Sequence, residues 1–379
     1  MKTSTIASPT ITSPDMQGSV MGMSNRGVDI ASYFLRDRIY SDKILAFIRE
    51  YICNAYDEHV KYKITEPIIV KIIKAADNQY IWSVRDFARG LDDYGIRNIF
   101  GMYFESTKSD SNESIGGFGI GSKSMMSYTD TFYITSHFEG TVTRYVATLG
   151  GGGNGVPVGE IYEISKEPTN ESGIEISADI SADYRLVNDK TKTFVQNFLP
   201  DSNVIFQQLD GVNVVPHQPI NTIELDGYKI SQYGKSPISP PTWGDNDRNY
   251  FNLRMGGIMY SPHHHFNLPV LMRDIVVDIP IGQLSVPISR ESFESTPAND
   301  KVFTQIGEVL RKLMEQDLEN TKTVVPKIHT LLNDNFSANK AVDGEYFKFK
   351  FSNLYPDTYS LLNKIKKDIY DNVPMNLSG

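Results

Sequence analysis

The segment IREYICNAYDEH, residues 48–59, has the pattern of a helix with two different faces. Glu50, Asn54 and Asp57 stand at i, i+4 and i+7, and at about 100° per residue they fall within an arc of roughly 60°. The apolar residues cluster on another side of the same helix: Ile44, Ile48, Tyr51, Ile52 and Ala55. The pattern predicts a helix that packs one stripe against a core and presents a carboxylate–amide–carboxylate face. A solvated acidic face is the alternative for this helix taken alone.

Length and composition limit the classes of protein to which the chain can belong. Its 379 residues predict two domains and a tail, and its net charge of −9 disfavours a dedicated nucleic-acid binder. No apolar run approaches about 18 residues and no signal-peptide pattern opens the chain, so any membrane association should be peripheral. The single cysteine, Cys53, excludes an internal disulfide and is interpreted as a small packing residue of the helix.

The order of patterns predicts an α+β protein with four segments. These are a flexible arm at 1–26, a first domain at 27–183, a smaller second domain at 184–321 and a tail at 322–379. The predicted elements are a helix at 42–60 with Ser41 as its N-cap, a hairpin of strands 68–73 and 80–86, strands at 131–136, 142–148 and 173–180, a helix starting near Ser122, and helices at 189–199 and 300–321.

The second segment of interest, VRDFARGLD at 84–92, places Asp86 at the end of a predicted strand. The loop that follows contains Ala88, Arg89 and Gly90. Strand ends and their loops are where α/β folds commonly place ligand-binding groups. Asp86 is therefore a candidate to accept a hydrogen bond from an exocyclic amine such as that of adenine.

The third segment, SIGGFGIGSKS at 114–124, is rich in glycine and opens a predicted helix. Glycines allow close backbone approach, and free N–H groups at a helix start favour anions, so Gly117, Gly119 and Gly121 are candidates for a phosphate cradle. Lys123 and Lys108 are candidates to pair with a phosphate. The spacing is neither a P-loop nor a Rossmann fingerprint, and glycines that serve only tight turns are the alternative.

These residue types together supply the chemistry of a nucleotide site. The amide oxygen of Asn54 is a suitable ligand for magnesium, which takes its other ligands from water and phosphates. Glu50 is a candidate general base for a water that attacks the terminal phosphate. The polar loop 104–114 is expected to close as a lid over bound phosphates.

The set resembles the Bergerat-fold ATPases, the GHKL group of gyrase-type topoisomerases, ninety-kilodalton heat-shock chaperones, sensor kinases and MutL. Glu50, Asn54 and Asp57 match the N-box, Asp86 and Gly90 the adenine-binding motif, and Gly117, Gly119 and Gly121 the glycines of the phosphate lid. The resemblance implies a domain with helices on one face of a mixed sheet, a smaller ribosomal-S5-like middle domain and a C-terminal tail. It also implies ATP and magnesium as ligands.

A narrower resemblance is to the bacteriophage rIIA lysis-inhibition proteins, over residues 27–180 and again at IPIGQLSVPISRESFE, 279–294. It implies that Arg290 reaches the terminal phosphate, as a guanidinium suits a transferring phosphoryl group. An ion pair with Glu291 or Glu294 is the alternative role of Arg290. The resemblance also implies a homodimer or a nucleotide-dependent protein partner, in the cytoplasm of an infected bacterium or peripheral to its inner membrane, acting in lysis inhibition or superinfection exclusion.

Two departures from the family pattern keep a second function open. Ala88 stands where the adenine motif has a glycine, and Ile174 stands where a threonine commonly contacts the base. A slow magnesium-dependent ATPase is the first hypothesis, and a scaffold that holds nucleotide without significant turnover is the second.

His59 is interpreted as a structural polar contact. The run His263–His265 is not predicted to bind a metal, because adjacent strand side chains point to opposite faces.

Overall fold

The computed structural model describes residues 25–102, 119–151, 157–233, 252–260 and 275–322. They form an α+β fold of helices and two mixed sheets. The helices are α1 (Asn25–Asp37), α2 (Lys43–Tyr62), α3 (Asp93–Gly95, continued by a π-helical turn at Ile96–Phe100), α4 (Met125–Tyr128), α5 (Tyr184–Asn197) and α6 (Pro297–Lys322), with a 3-10 turn at Gly121–Lys123. None of the helices in these ranges is long and apolar enough to span a bilayer.

The strands of the described ranges belong to one sheet of eight and one sheet of five. In chain order they are β1 (Ile68–Ala76), β2 (Gln79–Arg85), β3 (Thr131–Phe138), β4 (Thr141–Gly151), β5 (Pro157–Pro168), β6 (Gly173–Asp179), β7 (Val204–Gln207), β8 (Asn213–Val214), β9 (Asn221–Leu225), β10 (Tyr228–Gln232), β11 (Asn252–Met255), β12 (Ile258–Tyr260) and β13 (Ile275–Ile279). The chain divides into two compact units: Met1–Pro216 with Ile288–Glu291, and His217–Pro287 with Ser292–Gly379.

The first unit contains the eight-stranded sheet, in the order β5-β4-β3-β6-β2-β1-β7-β8. All of its pairings are antiparallel except that of β1 with β7. Trp82 of β2 is fully buried, packs edge-on against Phe47 of α2 at 5.0 Å and donates to Thr191 Oγ1 of α5 at 3.2 Å. Both helices therefore cover the face of the sheet that carries Trp82.

The predicted helix and hairpin are confirmed, with one correction at the helix start. Helix α2 begins at Lys43, and its N-cap is Asp42, whose side chain accepts from Leu45 N at 3.0 Å. The N-cap predicted at Ser41 is wrong by one residue, because the hydroxyl of Ser41 donates instead to Glu291 Oε2 at 2.9 Å. In the hairpin, Asn78 takes the left-handed conformation, with φ +60°, that the tight turn requires.

The first unit extends further along the chain than the predicted domain boundary at 183. Helix α5 begins at Tyr184, five residues before the predicted start, and packs against α2. Strand β7 then adds to the sheet beside β1, with Ile68 opposite Val204. The sequence shows no local sign of this parallel pairing, and β5 was not predicted either. The helix expected near Ser122 consists of the 3-10 turn and the four residues of α4.

The second unit contains the five-stranded sheet, in the order β12-β11-β13-β10-β9, and helix α6. Helix α6 spans Pro297–Lys322, close to the predicted 300–321, and its buried residues recur at helical spacing: Phe303, Ile306, Leu310 and Leu313. Arg254 of β11 is buried and forms an ion pair with Asp278 of β13. Residues 1–24 of the predicted arm, the lid loop at 104–114, His263–His265 and residues 323–379 of the tail lie outside the described residues, whereas residues 25 and 26, predicted as the end of the arm, begin helix α1.

Candidate functional site

One cavity of about 400 Å³ lies within the first unit, in the size range of small-molecule sites. Seven of the predicted site residues line it. Glu50 and Asn54 come from α2, Asp86 and Gly90 follow β2, Gly119 and Gly121 border the 3-10 turn, and Arg290 comes from the segment 288–291. Residues up to 240 positions apart in the sequence therefore line the same cavity.

The other four predicted site residues do not line this cavity in the described part of the chain. Asp57 and Lys123 are both buried outside its lining. Lys123 Nζ donates to the carbonyl oxygens of Gly119 at 3.0 Å and Ile99 at 3.3 Å, so its ammonium stabilises the turn that borders the cavity. Lys108 and Gly117 lie outside the described residues.

The polar face of α2 is buried, so the alternative of a solvated acidic face is wrong. Glu50 is 4% exposed, and Asn54, one turn further along the helix, is half-buried. Asn54 lines the cavity, and among the described residues none makes a hydrogen bond with its side chain. Its oxygen is therefore open to a ligand.

The carboxylate of Glu50 lies between two guanidinium groups. Arg49 Nε donates to Glu50 Oε1 at 3.3 Å, and Arg290 Nη1 lies 3.7 Å from Glu50 Oε2. Both arginines are buried. Arg290 therefore pairs with the candidate base, whereas the carboxylate of Glu291, one of its two alternative partners, accepts from Ser41 and Asp42.

The backbone of the segment 288–291 is bound to α2 at two points. Arg49 donates to the carbonyl oxygens of Ser289 at 2.6 Å and Arg290 at 3.3 Å. Glu291 Oε1 accepts from the backbone N–H groups of Ser41 and Asp42, each at 3.0 Å, at the start of α2. Arg290 itself has φ +54°, a conformation that a non-glycine residue adopts only when its surroundings stabilise it. These bonds hold the Arg290 side chain beside Glu50.

Asp86 is held by its own loop and by the neighbouring strand. Its Oδ1 accepts from the backbone N–H groups of Ala88 at 2.9 Å and Ile174 at 3.2 Å, and its own N–H donates to Ile174 O. Burial raises the pKa of Asp86 to about 6, although the two N–H groups and the charge of Arg85 act in the opposite direction. A buried carboxylate with a raised pKa beside a cavity is typical of a ligand-binding group.

The two departures from the motif that the sequence resembles have structural consequences at this end of the cavity. Ala88 does not adopt a positive φ, so the loop forms without the missing glycine. Ile174 lines the cavity with its side chain and binds Asp86 through its backbone N–H. Ala88, Ile174, Val84 and Ile176 are apolar residues of the cavity lining beside Asp86. An apolar lining suits the faces of a planar base.

At Gly90 and Gly121, neighbouring atoms lie too close to the backbone to leave room for a side chain. At Gly90, φ is +79° and a Cβ atom would lie 2.3 Å from His137 O. At Gly121 a Cβ atom would lie 2.3 Å from Glu50 Oε2. Any side chain at Gly121 would displace the carboxylate of Glu50, so the glycine turn and the candidate base meet directly.

The cavity thus has an apolar end with a carboxylate and a polar end with a glycine turn, an amide, a carboxylate and a guanidinium. No group of three or more His, Cys, Asp or Glu suited to a metal ion occurs in the described ranges. An amide oxygen at the cavity wall fits an ion that takes most of its ligands from phosphate and water, as magnesium does.

The sequence does not identify Arg49 as a residue that supports this site, and it indicates Glu291 only as an alternative ion-pair partner of Arg290. Their contacts are with backbone groups about 240 and 250 positions away, for which the sequence contains no signal. It also left the contact of His59 unspecified: Nε2 of His59 accepts from Phe87 N at 3.0 Å. Cys53 is buried, as predicted.

No protein-family model matches this chain, and no curated protein matches its sequence.

Proposed function

We propose that the first unit is a nucleotide-binding domain of the GHKL type, with a Bergerat fold, that binds ATP with magnesium and hydrolyses it slowly. The observation that carries the proposal is that Glu50, Asn54, Asp86 and Arg290 line one cavity. In the same proposal the second unit corresponds to a ribosomal-S5-like middle domain. The α+β architecture and the mixed eight-stranded sheet support the assignment of the first unit.

Each end of the cavity would bind one part of the nucleotide. Asp86 would accept the exocyclic amine of the base between Val84, Ile174 and Ile176. The backbone at Gly119 and Gly121 would approach the phosphates, as residues without side chains allow. Asn54 would hold magnesium, which neutralises phosphate charge when it is bound.

The two candidate catalytic residues would act on the terminal phosphate. Glu50 would take the proton of the attacking water, and Arg290 would stabilise the charge on the transferring phosphoryl group. In the present structure the two side chains pair with each other at 3.7 Å, so bound phosphate would compete with Glu50 for the Arg290 guanidinium.

The proposal is tested by calorimetric titration of the full chain with ATP, with and without magnesium, together with measurement of phosphate release. Magnesium-dependent ATP binding and release of phosphate above background are expected. ATP binding too weak to detect at millimolar concentration would overturn the proposal. GTP serves as the matched control, because it presents a carbonyl where ATP presents the amine.

A nucleotide-binding scaffold without significant turnover is the second candidate. The observation that favours it is the pairing of the Glu50 carboxylate with both Arg49 and Arg290, which leaves the candidate base occupied. ATP binding without phosphate release above background would select this function over hydrolysis.

We also propose that the chain forms a homodimer or binds a protein partner when nucleotide is present, in the cytoplasm or at the inner membrane of an infected bacterium. This part derives from the resemblance to the rIIA proteins and from the nucleotide site. Light scattering of the full chain with and without a non-hydrolysable ATP analogue tests dimer formation, for which a nucleotide-dependent doubling of mass is expected.

Replacement of Arg290 by Ala is expected to reduce phosphate release by about 10²-fold or more while changing ATP affinity less, because the guanidinium acts on the charge of the transition state. Arg89→Ala is the control: Arg89 also lines the cavity, but its guanidinium pairs with Glu139. Equal turnover by the parent and the Arg290 variant would limit Arg290 to a structural role.

A further inference from the structure

We propose that His59 is a positioning residue of the nucleotide site, which holds the Asp86 loop at the distance from α2 that a bound nucleotide requires. The proposal rests on the proposed function and adds a residue that the family motifs do not include. It concerns the affinity of the site for nucleotide rather than the rate of hydrolysis.

The contact of His59 joins α2 to the loop that follows Asp86. His59 belongs to α2, the helix that carries Asn54, and its Nε2 accepts from the N–H of Phe87 at 3.0 Å. Phe87 follows Asp86 directly, so the peptide that the imidazole binds is the one that leaves the base acceptor. This hydrogen bond connects the candidate metal ligand and the candidate base acceptor through one helix.

The loop that follows Asp86 is held by β6 and by α2. On the side of β6, Asp86 is bound to Ile174 through both its backbone N–H and its Oδ1. The carbonyl of Phe87 accepts from Ser172 Oγ at 3.2 Å, but that hydroxyl is exposed. His59, which is 6% exposed, is a buried residue of α2 that accepts from the N–H of Phe87, in the peptide group before that carbonyl. Loss of this hydrogen bond would leave the Phe87 N–H without this acceptor and free the loop to shift away from α2.

The contact with Phe87 requires one protonation state of His59. An imidazole nitrogen that accepts an N–H must carry no proton, so His59 has to be neutral. Burial lowers the pKa of His59 below its ordinary value of 6.5, which favours this state, while the charge and backbone of Glu66 act in the opposite direction. Asp86, Arg85 and Glu58 of α2 are further ionisable groups near the loop, which itself carries Arg89.

Two substitutions at His59 separate positioning from general stability. Gln has an oxygen at about the place of the imidazole Nε2 and can accept the Phe87 N–H without titrating, whereas Leu fills similar space without an acceptor. We expect His59→Leu to raise the Kd for magnesium–ATP about tenfold at pH 7.5, the effect of one lost hydrogen bond, with kcat changed by less than about twofold. We expect His59→Gln to restore the Kd to within about threefold of the parent.

The matched control is His217→Gln. His217 is a half-buried histidine of the second unit whose pKa burial also lowers, and it does not line the cavity. This variant should bind ATP as the parent does. Equal Kd values for the Leu variant and the parent would overturn the proposal, as would a Gln variant that is no better than Leu.

Hydrogen exchange of the Phe87 amide, measured without nucleotide, makes the test independent of the proposed function. The amide should exchange faster in the Leu variant than in the parent and the Gln variant, whether or not the chain binds ATP. A parent chain without ATP binding would overturn the proposed function alone. An unchanged exchange rate in the Leu variant would overturn the role of His59 alone.

Discussion

Glu50→Gln is expected to lower phosphate release from ATP by about 10²–10⁴-fold, the usual contribution of a positioned general base. The amide keeps the size of the side chain but cannot take a proton from water. Because Gly121 leaves room for a group of this size, the substitution should not disturb the turn. Binding of magnesium–ATP, measured by calorimetry, should stay within a few-fold of the parent.

The matched control for this experiment is Glu58→Gln, two turns further along α2. Glu58 also lines the cavity, but its carboxylate pairs with Lys61 at 3.7 Å rather than with Arg290. The control variant should hydrolyse ATP at close to the parental rate. Equal phosphate release by the Glu50 variant and the parent would exclude Glu50 as the base.

Asp86→Asn is expected to change the affinity for ATP and the stability of the fold in opposite directions. Binding of ATP should weaken about 10²-fold, because the carboxylate proposed to accept the base amine is replaced by a group that also presents donors to it. The folded chain should nevertheless become more stable at pH 8. Calorimetric titration measures the first effect, and thermal unfolding at fixed pH measures the second.

The sign of the stability change follows from the pKa of Asp86. The pKa is about 6 in the fold against 3.8 for an ordinary Asp, so the fold favours the neutral carboxyl. The contribution of this group to stability is fully present below pH 3.8 and is lost as the pH rises through about 6. At pH 8 the ionised carboxylate therefore costs the fold about 3 kcal/mol. Asn carries no charge, and its oxygen accepts the same two backbone N–H groups.

The parent and the Asn variant should therefore differ most in Tm above pH 7 and converge as the pH falls towards 4. Asp77→Asn is the control, because the carboxylate of Asp77 is 99% exposed at the turn of the first hairpin. It should change neither the Tm nor the affinity for ATP. A Tm of the Asp86 variant below that of the parent at pH 8 would show that the buried carboxylate stabilises the fold.

Local patterns in the sequence were sufficient for helix α2 and for the hairpin of β1 and β2. The spacing of Glu50, Asn54 and the apolar residues predicts α2 because a helical period is a property of neighbouring residues. The same reasoning places Asp86 just after β2 and glycines beside the cavity. The face of the helix was predicted, but its burial was not, since a polar face at helical spacing is the same whether it meets water or a cavity.

The tertiary structure alone decided the contacts that complete the site. Strand β7 beside β1 extends the first unit to residue 216, because hydrogen bonding between strands is made by the backbone and leaves little trace in side-chain pattern. In the same way Arg49 binds the carbonyl oxygens of Ser289 and Arg290, and His59 binds the N–H of Phe87. Every residue carries such backbone groups, so only the folded chain determines which of them come within reach of a side chain.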